Sequence, residues 1–300
     1  MTDEAKSYKT AGAFRTALEN RLQTRARETG TDLQRLRRQV AFDRFLARMF
    51  SSGPKATYPW VLKGGYAMEL RTHSARTTKD IDLTLHDGTR LSKDPAERGE
   101  QIRAMLQEAA AIRLDDYFEF LVAEAREELD GAPEGGSRYP VEARMDGREF
   151  ARFHVDIGIG DEVLEPLDIV TGEDWLAFGG IKAPSFPIIS GEQQFAEKLH
   201  AYTLPRGERI NTRTKDLIDM VLLILGEKLD KRKVSEAVRA TFARRATHEF
   251  PRELAEPPKE WEPVFDGLAK ECGLAMNVRQ GFEVVYEFAR ALEAKGAPWG

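Results

Sequence analysis

Asp80 and Asp82 are the residues best spaced to do chemistry. They lie in Asp80-Ile81-Asp82-Leu83-Thr84-Leu85, a run that alternates with the period of a strand. Residues two apart in a strand share a face, so the two carboxylates project together while Ile81, Leu83 and Leu85 turn to a core. Carboxylates held side by side repel each other unless a cation sits between them. Mg²⁺ suits the position, because it takes hard oxygen ligands and binds through one or two carboxylates plus substrate phosphates. Upstream, Val61-Leu62 ends in Lys63-Gly64-Gly65, and Tyr66 to Leu70 reads as the first turns of a helix. Glycine lets the backbone come close to a ligand, and the N–H groups at a helix start bind phosphate. Taken singly, the glycines read as a turn and the acids as a solvated strand edge. Together, with Arg76 and Thr78 just ahead of the acids, they point to a metal–phosphate complex.

Three further groups extend this set. Phe153-His154-Val155-Asp156-Ile157 alternates like a second strand, with Asp156 opposite the apolar side. A third carboxylate on a neighbouring strand is what a two-metal site requires. His154 shares the face of Asp156 and is read as a packing or supporting residue. Glu192-Gln193-Gln194-Phe195-Ala196-Glu197-Lys198-Leu199-His200 follows Ser190, a capping-box start for a helix. Last comes Arg213-Thr214-Lys215-Asp216-Leu217-Ile218-Asp219, whose apolar continuation buries a helix and whose two acids, three apart, share a face.

The stretch Leu62-Lys63-Gly64-Gly65, followed by Arg76, Thr78, Asp80 and Asp82, resembles the signature of the nucleotidyltransferase superfamily. In particular it resembles the AbiEii/AbiGii toxin family, which is MenT-like. Lys198 matches the lysine of that family's second motif, and Arg213-Thr214-Lys215-Asp216 with Asp219 resembles its third. The resemblance covers about residues 11 to 225. It implies an NTP-dependent nucleotidyltransferase, the toxin of a toxin–antitoxin pair, acting on RNA at the 3′ end of tRNA, with a cognate antitoxin as partner. It implies Asp80, Asp82 and Asp156 as ligands of two Mg²⁺ ions, with Mn²⁺ as a substitute. Lys63, Gly64, Gly65, Arg76, Thr78, Lys198 and Arg213 are then nucleotide-binding, and Lys198 and Asp216 join the three acids as catalytic residues. Asp216 orients or deprotonates the acceptor hydroxyl, or serves only the helix.

The elements that must hold these residues follow from the rest of the pattern. Helices are predicted from Ala11 to Glu28, ended by Gly30, and from a cap at Thr31-Asp32 through Phe50. The second carries Arg35, Arg37, Arg38, Arg44 and Arg48, either a solvated face or one that meets RNA phosphates. His86-Asp87-Gly88 is a turn, and Pro95 to Ile112 is a helix. Strands run over Tyr117–Ala123, Ser137–Met145 and Glu149–Ile157, the last two joined by an Asp146-Gly147 hairpin turn. Residues 158–190 are rich in Gly, Pro and Asp and read as a connection. Helices dominate thereafter, around 233–246, 261–271 and 278–294, with basic stretches at 206–215, which includes Arg209, and 228–245. The expected fold is α+β: a nucleotidyltransferase-type mixed sheet flanked by helices over 1–160, a connection over 161–190, and a C-terminal helical domain over 191–300. Residues 1–10 and 296–300 read as loose ends.

Composition narrows the function classes. A net charge of −5 argues against coating nucleic acid by bulk charge but allows a local basic cleft. Cys272 is the single cysteine, so no disulfide framework exists and a reducing cytoplasm fits. No apolar run is long enough to span a membrane, and the N-terminus lacks a signal pattern. Two rival classes share the acid-pair core: a small-molecule nucleotidyltransferase of the antibiotic-modifying type, and a nucleotide-binding protein without catalysis.

Overall fold

In order along the chain the elements are α1 (Ala11–Thr29), α2 (Leu33–Met49), β1 (Trp60–Lys63), α3 (Gly64–Thr72), β2 (Asp80–Leu85), α4 (Pro95–Ala110), β3 (Phe118–Val122), β4 (Glu127–Glu128), β5 (Gly136–Met145), β6 (Arg148–Ile159), β7 (Asp168–Thr171), β8 (Ser185–Ile188), α5 (Gly191–Thr203), α6 (Thr214–Gly226), α7 (Lys231–Arg245), α8 (Glu262–Glu271) and α9 (Val278–Glu293). This is a computed structural model, and it describes residues 8–51, 59–72, 76–85, 89, 91–129, 132–207, 211–226 and 228–293. The turn expected at 86–88, Arg209, residues 1–7 and the tail after 293 lie outside the described residues.

Local chemistry sets the helix ends. Thr10, Asp32, Asp94 and Ser190 each cap a helix start by accepting a backbone N–H three residues on, and Gly30 closes α1 in the left-handed conformation. At Ser190 only half of a capping box forms. Gln193 donates its N–H to Ser190 Oγ, but its side chain bonds the carbonyl of Glu162 and the N–H of Leu164 instead of returning to the cap.

Among the described residues eight strands form one mixed sheet in the order β3-β5-β6-β2-β1-β8-β7, with β4 pairing β5 beside that path. β2 runs parallel to β6 and β1 parallel to β8, while β5 is antiparallel to β3 and β6. Two of these strands, β7 and β8, lie in the stretch expected to be a connection. That expectation is corrected: 161–190 supplies part of the sheet. Each strand is four residues long, and β8 contains Pro187, which contributes no N–H to a ladder, so neither has a strand's usual sequence pattern.

The chain divides into two compact units, each discontinuous in sequence. The first comprises Met1–Leu62, Thr78–Gly160 and Ile169–Ile188; the second comprises Lys63–Thr77, Asp161–Asp168 and Ile189–Gly300. In the first, the apolar faces of β2 and β6 (Ile81, Leu83, Val155, Ile157) are buried, and Phe42 and Phe45 of α2 meet Phe153 at 5.0 and 5.6 Å between ring centres. Burial of each such side chain contributes ~1.5–3 kcal/mol. This fixes which side of β2 and β6 is left for polar residues. In the second, α6 is central, packing against α3, α5, α8 and α9. Leu217, Ile218, Val221 and Leu223 of α6 are fully buried.

Candidate functional site

The register of β2 and β6 brings the expected acids together. Asp82 stands directly beside Asp156, and Asp80 beside His154. Because all four face away from the apolar side, three carboxylates and an imidazole share one patch of sheet. Asp80 Oδ1 is 3.2 Å from His154 Nδ1. Thr78 donates its hydroxyl to the carbonyl of Asp80 at 3.3 Å, which fixes the entry to β2.

A residue that the sequence pattern did not single out completes the patch. Arg138, on β5, lies opposite Asp156 and forks onto its carboxylate, with Nε 2.8 Å from Oδ1 and a terminal nitrogen 2.7 Å from Oδ2. The same terminal nitrogen is 3.6 Å from Asp80 Oδ2. Both oxygens of Asp156 therefore face a guanidinium.

The fit of these residues to a divalent ion is uneven. Asp80 and Asp82 fit one that arrives with substrate phosphates, since Mg²⁺ asks for only one or two carboxylates in that setting. Asp156, as it stands, offers its oxygens to Arg138. Among the described residues no cluster of three or more His, Cys, Asp or Glu side chains is arranged to hold a metal alone.

A groove of about 830 Å³ opens beside Asp80. Arg38, Lys79, Arg126, Arg138 and Arg152 line it, with Asp80 and Glu142 as its carboxylates and Leu121, Pro140 and Val141 as apolar wall. Glu142 is held below the usual carboxylate range by a hydrogen bond from Arg144, and Arg152 is 3.4 Å from its other oxygen. Arg138 is already paired with Asp156 and Arg152 with Glu149, so the excess positive charge of the groove rests on Arg38, Lys79 and Arg126, which makes it attractive to a polyanion.

The arginines of α2 are thereby sorted. Arg44 and Arg48 do not form a surface for RNA. They are buried, and both bond the buried Asp116, at 2.7 Å from Arg44 and at 2.6 and 2.9 Å from Arg48. Burial alone would raise the Asp116 carboxyl; the bonds and charge of Arg48, then of Arg44, hold it low. Arg37 pairs with Glu19 at 2.7 Å. Arg38 is the member of the series that lines the groove.

The second unit holds the remaining expected residues in two ionic networks. In one, Lys198 Nζ is 2.9 Å from Asp216 Oδ1 and 2.9 Å from Asp219 Oδ2. Arg76 forks onto Asp219 at 3.0 and 2.9 Å, and Arg213 stands 3.5 Å from Asp216. Burial would lower the Lys198 ammonium, but Asp216 and Asp219 more than reverse this and push it above the ordinary lysine value. Burial would raise Asp219; Lys198 and Arg76 hold it below the usual range. The spacing that gave Asp216 and Asp219 a common helix face thus lets one lysine bridge them.

In the other network Lys63 bonds Asp161 and stands 3.4 Å from Glu197. Arg245 joins from α7, 2.9 Å from Asp161 and 3.6 Å from Glu197. Lys63 is raised despite burial because Glu197 and Asp161 face it. His200 lies against Arg245, and burial with that charge pushes its imidazole down to about 3, so it is neutral. Gly64 opens α3 at a φ of 68°, in the left-handed region that suits glycine, and its carbonyl accepts from Gln194 at 2.8 Å. Gly65 is buried in the first turn of the same helix.

No local motif marks Asp161; Glu197, just before Lys198, and Arg245, the end of the basic stretch at 228–245, are drawn into this network, so Arg245 is not part of an open basic surface. Of the other basic stretches, Arg206 donates to the carbonyl of Ala201 and Arg232 pairs with Glu236. Among the described residues no helix is long and apolar enough to cross a membrane.

Residues 44–287 match the family described as nucleotidyl transferase AbiEii toxin, type IV toxin–antitoxin system. No match is found among curated proteins. Among solved structures, MenT4, a nucleotidyltransferase toxin from Mycobacterium tuberculosis H37Rv, superposes with a TM-score of 0.54 at 16% identity, covering 93% of this chain and 98% of that one. JHP933 from Helicobacter pylori superposes with a TM-score of 0.46 at 14% identity, covering 87% and 93%. At such identities the likeness to MenT4 speaks for the fold.

Proposed function

The chain belongs to the AbiEii nucleotidyltransferase toxin family, and we propose that it transfers a nucleotidyl group from an NTP to an RNA acceptor, the 3′ end of tRNA. As a family member it is a nucleotidyltransferase toxin of a type IV toxin–antitoxin system, and an antitoxin is its expected partner. The observation that carries the RNA reading is the groove beside Asp80, whose excess positive charge suits a phosphodiester chain better than a small neutral acceptor.

In this reading Asp80 and Asp82 hold a divalent ion, Mg²⁺ or Mn²⁺. When bound, it neutralises charge that develops on the phosphoryl oxygens. The acceptor hydroxyl oxygen forms a bond to the α-phosphorus, and the bond from that phosphorus to the bridging oxygen breaks. Pyrophosphate leaves with the bonding electrons. The hydroxyl proton passes to a carboxylate, for which Asp216 is the candidate. Lys198, kept protonated by Asp216 and Asp219, supplies positive charge for the triphosphate. The backbone N–H groups at Gly64-Gly65, which open α3, suit phosphate oxygens. Lys63, Arg76, Thr78 and Arg213 are the further nucleotide-binding candidates; Arg76 and Arg213 stand on Asp219 and Asp216, Thr78 on the carbonyl of Asp80, and Lys63 on Asp161 and Glu197. A second ion on Asp156 would require Arg138 to release that carboxylate.

Incubation with each labelled NTP, using total tRNA, an aminoglycoside or buffer as acceptor, tests the proposal. Label retained in tRNA on a denaturing gel is the expected result. Label only in the aminoglycoside would refute the RNA acceptor, and label in none of them would refute transfer to either.

A further inference from the structure

Arg138 has no role in the chemistry just given, yet its place is fixed by backbone register. It sits opposite Asp156 in the β5–β6 pair, and Asp156 sits beside Asp82 in the β6–β2 pair. Arg138, Asp156 and Asp82 therefore form a row across three adjacent strands, each step close to the ~4.8 Å strand spacing. Directly opposed residues of an antiparallel pair are in side-chain contact by construction.

The Arg138–Asp156 contact is two parallel charge-assisted bonds at 2.8 and 2.7 Å, a geometry roughly twice as strong per bond as a neutral one. The Asp156 side chain is 13% exposed, so water does little to compete. An ion that took Asp156 would have to break both bonds and set a second positive charge beside the guanidinium.

Charge arithmetic leads the same way. Asp80, Asp82 and Asp156 carry three negative charges on this patch of sheet. Arg138 offsets the charge of Asp156, where a second ion would otherwise be drawn. The guanidinium also lines the groove beside Asp80, where phosphates must arrive to meet an ion held there.

We propose that Arg138 is a resident cation that stands where a second metal ion is expected: it pairs permanently with Asp156 and meets the substrate phosphates, while Asp80 and Asp82 alone hold one divalent ion. Asp156 is then a positioning residue for Arg138 and not a metal ligand. The inference rests on the nucleotidyl-transfer reading above.

The test is Mn²⁺ titration of the full chain by electron paramagnetic resonance, with a saturating non-hydrolysable NTP analogue, alongside calorimetric binding of that analogue. Circular dichroism reports folding of each variant. One Mn²⁺ per bound analogue is expected in the wild type and in Asp156→Asn, with Mn²⁺ affinity down about tenfold or more in Asp80→Asn. Arg138→Gln should weaken analogue binding about tenfold and let a second Mn²⁺ bind to the released Asp156. Arg138→Lys, which keeps the charge and loses the fork, should recover part of the affinity; a merely structural arginine would give no such rescue. Two Mn²⁺ in the wild type, one of them lost in Asp156→Asn, would overturn the proposal, as would unchanged analogue affinity in folded Arg138→Gln. If two ions bind and the enzyme still labels tRNA, this inference fails alone. If the wild type binds no analogue, the nucleotidyl-transfer reading fails and takes the inference with it.

Discussion

Asp219→Ala removes the buried carboxylate that holds two cations. Arg76 donates to it at 3.0 and 2.9 Å, and Lys198 Nζ lies 2.9 Å away. Asp219 is fully buried, and the side chains of Arg76 and Lys198 are 9% and 14% exposed. After the substitution Lys198 keeps Asp216, but the fork of Arg76 loses the carboxylate it meets in the native chain, and the two like charges face each other with less between them. Breaking a buried pair by removing one partner costs ~3–5 kcal/mol. That is a large part of the ~5–15 kcal/mol that holds a typical protein folded. Urea unfolding at pH 7, followed by circular dichroism, should register a loss of that size. A loss below ~1 kcal/mol, the value of an exposed pair, would show that the network is not buried as described. The pH dependence gives a second check. Asp219 is depressed in the folded state, so its contribution is complete above the unfolded value of ~3.9 and is lost as pH falls through its lower folded value. Lys198 is raised, so its contribution is complete below the unfolded value of ~10.4 and is lost as pH rises through its higher folded value. The difference between wild type and variant should stay flat between about pH 5 and 9. A difference that shrinks inside that window would contradict the assigned ionisation states.

Three further outcomes are expected. Gly64→Ala forces a side chain into a φ of 68°, which should cost ~1–2 kcal/mol in a thermal melt and weaken NTP binding; unchanged values for both would remove the backbone argument at the start of α3. Reversing Arg38, Arg126 and Arg152 to Glu should weaken tRNA binding and reduce its salt slope by ~0.7–0.9 for each RNA phosphate no longer neutralised, while NTP binding stays intact; a salt slope equal to that of the wild type would show that RNA does not use the groove. Burial pushes the Cys272 thiol up to about 11, so iodoacetamide at pH 8 should label it slowly in the native protein and quickly in urea; equal rates would mean that the thiol is exposed.

The sequence made the strand of Asp80 and Asp82 legible because its alternation is strict and one face is wholly apolar. The helix carrying Lys198 was legible from Ser190 onward for a similar local reason, a cap followed by a periodic apolar face. Partners far along the chain were not. Arg76 finds Asp219 143 residues away, and Arg48 finds Asp116 68 residues away, so the arginines of α2 looked alike until burial separated them. Arg138 shows a subtler limit. The Asp146-Gly147 turn was readable, and counting outward from it pairs Met145 with Arg148 and Arg144 with Glu149. Continued unbroken, that count would set Arg138 against Val155. A β-bulge after Ala143 inserts one residue on β6, and every pair beyond it shifts by one, which sets Arg138 against Asp156. One unseen bulge thus decides which residue meets a candidate metal ligand. The short strands β7 and β8 stayed hidden because four residues, one of them proline in β8, carry too little periodicity to register.

The most direct test of nucleotidyl transfer follows the two ends of the triphosphate separately. The full chain is incubated with tRNA, Mg²⁺ and an NTP labelled at the α- or the γ-phosphorus, for wild type and for folded Asp80→Ala and Asp82→Ala variants. The account predicts that α-label stays with the RNA, that γ-label leaves as pyrophosphate, and that either substitution lowers the rate by ~10²–10³ or more. Retention of γ-label in the RNA, or wild-type rates in a folded Asp80→Ala chain, would contradict it.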